Sequence, residues 1–126
     1  MPQTDPQAQI KCVGREVYIG STDNATWTKL TVEAFRTLVV SGQQAFERAW
    51  SQKGSLFHVD STPDSGTFIR IGDQVHVGTA NVIRYVELSR NAILAIFACG
   101  LRALDECFAH RGDWVPLRQQ AQAPAA

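Results

Sequence analysis

Apolar and polar residues alternate from Ile10 to Gly20 and again from Thr26 to Leu30, with the turn-rich segment STDNA between them, which predicts two strands. At Val32 the spacing changes. Phe35, Leu38, Val39, Gly42, Ala45, Phe46, Ala49 and Trp50 fall on one stripe at roughly 100° per residue, while Glu33, Thr37, Gln44 and Arg48 fall opposite. Thr31 supplies an N-cap and Lys53-Gly54 a stop, so one amphipathic helix is expected from Val32 to about Gln52. A three-stranded meander follows over Ser55 to Asp60, Thr67 to Ile71 and Gln74 to Gly78, punctuated by STPDSG and Gly72-Asp73. With Ile71 opposite Gln74 and Asp60 opposite Thr67, the pleat gathers Phe57, Val59, Phe68, Val75 and Val77 on the helix-facing side. Leu56, His58, Ile69, Ile71 and His76 share the other, mixed side.

A second helix is expected from Val82 to about Phe108, capped near Thr79 or Asn81 and ended by His110-Arg111-Gly112. Its apolar run, Ala92 to Leu104, is shorter than the roughly 20 residues a bilayer requires, so it is read as a buried helix. The stripe is wide. Val82, Ile83, Tyr85, Val86, Ile93, Leu94, Ile96, Phe97, Leu101, Leu104 and Phe108 cover close to half the circumference, more than one buried face needs. Ala95, Cys99 and Ala103 form a ridge of small side chains on its flank, matched by Gly42, Ala45 and Ala49 on the first helix.

The predicted class is α+β, in the order ββαβββα, with a mainly antiparallel five-stranded sheet and two long amphipathic helices packed on it. That order, from about residue 10 to 110, resembles the order in Roadblock, longin and profilin-like domains, and the resemblance implies an interaction module. From residue 31 onward αβββα is also similar to the order of a double-stranded-RNA-binding domain. The second helix, however, opens with NVIRYVELSR and not with a lysine cluster.

With 126 residues the chain holds one domain, expected over residues 10–117, flanked by disordered tails at 1–9 and 118–126. Twelve basic side chains balance twelve acidic ones with no block of one sign, so a broad electrostatic footprint for nucleic acid or anionic lipid is not expected. The start MPQTDPQAQ lacks a basic region and an apolar core, so a cytoplasmic protein is expected and the Asn24-Ala25-Thr26 sequon is read as chance. Cys99 and Cys107 lie eight residues apart on one helix, about 12 Å, too far for a disulfide. Together with Cys12 and the lack of CxxC, they indicate reduced thiols.

His58, Asp60 and His76 share a sheet face and carry metal-ligating groups, but the register separates the two histidines by nearly 10 Å, so no metal is expected. Arg70 is the charged member of the apolar sheet face, and Ser89 and Arg90 interrupt the wide helical stripe. Two guanidinium groups in one layer need carboxylates, carbonyls or an anionic ligand, which makes Arg70, Ser89 and Arg90 a candidate anion pocket. The segment 38–50 has an echo of a helix-turn-helix in which Gln43, Gln44 and Arg48 would reach bases. GxSxG, HExxH, P-loop and GxGxxG patterns are absent from the sequence, so no catalytic residue and no cofactor are expected. The resulting expectation is a regulatory protein of bacterial or phage type. It would form a homodimer through Leu94, Phe97, Ala98, Leu101 and Phe108, bind an unidentified protein partner in preference to nucleic acid, and have no membrane association.

Overall fold

A computed structural model describes residues 7–62, 65–79 and 82–117. The single strand expected from Ile10 to Gly20 is a hairpin of two, β1 (Ala8–Val13) and β2 (Glu16–Ser21), antiparallel with Ile10 opposite Ile19 and turned at Gly14 (φ +61°), and β3 (Trp27–Thr31) pairs on the far side of β2. Thr31 leaves the sheet in extended conformation and its side chain accepts a 3.0 Å hydrogen bond from the Ala34 N–H, which starts α1 (Val32–Ser41) where the spacing predicts it. The expected single helix is two helices, because Gly42 separates α1 from α2 (Gln43–Ser51). Gly42 stays close to helical, at φ −84° and ψ −10°, so the apolar phase passes through the joint and conceals it in the sequence.

Next come β4 (Leu56–His58), β5 (Gly66–Ile71), β6 (Gln74–Thr79), β7 (Val82–Ser89), α3 (Arg90–Ala109) and β8 (Val115–Pro116). The β5–β6 register is as expected, Ile71 on Gln74. β4 is shifted by two residues, with His58 opposite Thr67 in place of Asp60, which leaves every side chain on its expected face. The first third of the expected second helix is strand β7. Its apolar residues satisfy both periods, and Ser89, read as a break in a helical stripe, is the cap whose hydroxyl accepts from the Ala92 N–H at 3.2 Å. The five-stranded sheet is therefore replaced by two four-stranded antiparallel sheets, β3-β2-β1-β8 and β4-β5-β6-β7.

The two sheets adjoin along β3 and β7. Among the described residues no backbone-to-backbone hydrogen bond crosses this seam. Threonine hydroxyls bridge it: Thr28 Oγ1 donates to the Arg84 carbonyl at 2.7 Å, and Thr26 Oγ1 accepts from the Glu87 N–H at 2.9 Å. A three-strand meander, β1-β2-β3, thus leads into the Thr-capped α1, a four-strand meander, β4-β5-β6-β7, leads into the Ser-capped α3, and the last strands of the two lie side by side.

The helices cover one face of the sheets. Phe46 of α2, Phe68 of β5 and Phe97 of α3 meet with ring centroids 5.8–6.2 Å apart, and Phe46 and Phe68 are fully buried. Much of the wide stripe on α3 is absorbed inside the chain. Ile93, Ile96, Leu104 and Cys107 are buried, as is the ridge of Ala95, Cys99 and Ala103. Gly100 lets α1 in close, since a Cβ there would sit 2.6 Å from Val39 Cγ2. No helix among the described residues is long and apolar enough to cross a membrane.

Candidate functional site

The opposite face of the sheets is uncovered by helices, and its N-terminal half is built from rings and cations. Strand parity puts Lys11, Tyr18, Trp27 and Lys29 outward, because Cys12, Val17, Ile19, Thr28 and Leu30 point into the core. Gly20 provides a bare floor on β2, on which Trp114 rests with its ring edge 3.1 Å from where a Cβ would be. Lys11 Nζ lies 4.8 Å from the Trp114 ring centroid and 5.5 Å from that of Tyr18. Tyr18 and Trp27 are 5.4 Å apart, and across the seam the Arg84 guanidinium sits 4.2 Å over Trp27. The series Trp114, Lys11, Tyr18, Trp27, Arg84 is continuous.

Beyond the seam Tyr85 covers Gly78 and lies 6.2 Å from His76, whose Nε2 is 3.0 Å from Glu87 Oε2. Trp27 is 36% exposed beneath the Arg84 guanidinium, and Tyr85 is 40% exposed. Each exposed cation–π contact stabilises by only about 0.5–1 kcal/mol, less than a fold needs and sufficient to hold a side chain in place. Among the described residues Lys11 and Arg84 form no ion pair with a carboxylate, whereas Lys29 lies 3.4 Å from Glu16.

Two clefts open on the surface, one at this face and one beside the helices. One of about 290 Å³ lies at the end of the seam, lined by Ser21, Asp23, Thr26, Gln74, Glu87 and Ser89. Hydrogen bonds from the Ser21 hydroxyl and then the Ala25 N–H hold the Asp23 carboxyl below its ordinary range, fixing the turn around Asn24 (φ +60°). The other, of about 570 Å³, has Arg15, Arg36 and Arg111 around the start of α1, with Arg111 Nη1 donating to the Gly14 carbonyl at 2.9 Å.

Arg70 and Arg90 do meet, and what they meet on is Trp50. The Arg70 guanidinium lies 3.7 Å from that indole centroid and donates to the carbonyls of Trp50 at 2.8 Å and Gly72 at 2.9 Å. Arg90 lies 5.6 Å from the same ring and 3.9 Å from Glu47, with its buried Nε unpartnered. Ser89 is occupied as the cap of α3. Gln43, Gln44 and Arg48 share the exposed side of α2, with Glu47 among them. Of the expected interface, Ala98 is exposed and Leu101 45% exposed, whereas Leu94, Phe97 and Phe108 are half-buried.

His58 and His76 stand on β4 and β6 with β5 between them, and Asp60 accepts from Thr62, which holds its carboxyl low. No group of three or more potential ligands is positioned for a metal among the described residues. The sequence pattern did not single out the open-face rings, although Lys11, Tyr18, Trp27 and Lys29 each stand next to a buried residue on their own strand, which is the signal that marks them.

The three cysteines are buried, Cys12 and Cys107 side by side. Burial first, then the neighbouring Cys12 thiol, pushes the Cys107 thiol up to about 12. Its thiolate is therefore scarce near neutral pH, and Ellman's reagent is expected to leave Cys107 unmodified in the native protein and to label it in guanidinium. Rapid native labelling at Cys107 would show that the β1–α3 contact opens readily.

Compared with protein-family models, curated proteins and solved structures, the chain matches none.

Proposed function

We propose that the chain is a non-catalytic interaction module, of regulatory type and cytoplasmic, that grips another macromolecule with the open face of its sheets. The observation that carries this reading is the series Trp114, Lys11, Tyr18, Trp27, Arg84, in which two cations rest on rings and have no carboxylate partner among the described residues. A solvated face made only for solubility has no need of large rings; a recognition surface concentrates them.

Self-association through α3 is a second reading, favoured by the exposure of Leu101 and of Val40, at 45% and 67%, on the helix layer. Its basis is narrower than the sequence indicated, because α1 and the sheets bury most of the helix. One experiment weighs both. Tagged wild type, K11E/R84E and L101R are used for affinity capture from source cells, and each is sized by light scattering. Under the open-face reading the captured partner is lost with K11E/R84E and kept with L101R. Retention by K11E/R84E overturns it, and a dimeric wild type made monomeric by L101R supports the second.

A further inference from the structure

We infer that the occupant of the open face is single-stranded nucleic acid, an inference that rests on the open-face reading and gives it a substrate class. An occupant must do two things at once: pack against the partly exposed rings of Trp27 and Tyr85, meeting Trp27 at the ring edge or by displacing the Arg84 guanidinium, and neutralise Lys11 and Arg84. A nucleotide chain repeats both features, a flat base and a negative phosphate, unit by unit. An acidic peptide would satisfy the cations and offer no plane to Trp27 or Tyr85. A duplex presents its phosphates but keeps its base faces within the stack, out of reach of rings on a sheet.

The geometry fits the unpaired strand. Tyr18 and Trp27 stand 5.4 Å apart with cations at either end, Lys11 beyond Tyr18 and Arg84 on Trp27. The carboxylates of this face are already engaged, Glu16 with Lys29 and Glu87 with His76, so they oppose a phosphate chain weakly. The whole-chain charge of zero limits long-range attraction, which makes stacking the larger share of the affinity and predicts a shallow salt dependence.

The test is fluorescence anisotropy of dye-labelled dT15 and U15 at low salt, with tryptophan emission read in parallel. Saturable binding with quenched emission is expected. W27A should weaken it about tenfold or more, W27F should restore most of it, and K11E/R84E should weaken it further and flatten the salt slope. Variants are compared by circular dichroism, and the W27F rescue separates ring loss from unfolding. Three results overturn the inference: no saturable binding of either strand, equal binding of duplex or polyglutamate with no effect of W27A, or loss of binding with Q43A/Q44A/R48E in place of the open-face variants. If oligonucleotides fail while K11E/R84E still loses a captured partner, the nucleic acid is wrong and the open-face reading stands. If neither is affected, both fall.

Discussion

Truncating Phe68 to alanine is expected to lower stability by about 3–5 kcal/mol, read as a fall in the urea midpoint at unchanged m-value. Phe68 is fully buried, pairs with Phe57 on β4 and Val77 on β6, and meets the rings of Phe46 and Phe97. Its removal leaves a cavity where α2, α3 and the second sheet converge, and none of the three can close it without leaving the other two. The control lies three residues along the same strand. Ile71 is 51% exposed on the open side, and Ile71→Ala should change stability by no more than about 0.5 kcal/mol. A loss below about 1 kcal/mol for Phe68→Ala would mean that the helices do not rest on β5 as described.

Gly42→Ala separates sequence from structure by the sign of its effect. In a continuous helix, as the apolar phase reads, alanine at this position would stabilise by about 1 kcal/mol. In the structure a Cβ on Gly42 would overlap the Leu38 carbonyl oxygen and lie 3.1 Å from its carbon, and both are backbone atoms that no rotamer change can move. The Gly42 N–H donates to that same oxygen at 2.8 Å, so the joint cannot open without losing a bond. A net destabilisation of about 1–3 kcal/mol is expected, measured by thermal and urea unfolding. A stabilised variant would establish one unbroken helix and remove the joint between α1 and α2.

The α+β class, the meander and the layer of helices were legible because burial imposes a period on the side chains. Where one segment satisfies two periods, sequence alone loses the distinction. Val82, Ile83, Tyr85 and Val86 fit a helical stripe as well as a bulged strand, and only the open edge of β6, a tertiary fact, selects the strand. The two residues of β8 pair with β1 and carry no pattern long enough to read. At the candidate site, parity placed Arg70 on the apolar face correctly, whereas its partner Trp50 comes from a helix 20 residues earlier, a distance no local pattern spans. Tyr18 and Trp27 lie on adjacent strands, and their approach follows from a register that becomes visible only once β2 and β3 are paired.

The hydroxyl bridges of Thr26 and Thr28 have a mechanical meaning. Sliding β1 past β2 would break a whole ladder of amide bonds, whereas displacing β3 against β7 strains side-chain packing and the two hydroxyl links, so that boundary has fewer hydrogen bonds to resist a shift. Trp27 stands on one bank and Arg84 on the other. Any widening or closing of that fault line would change the spacing between ring and guanidinium, and a guest lying across it would act as a splint between the two halves.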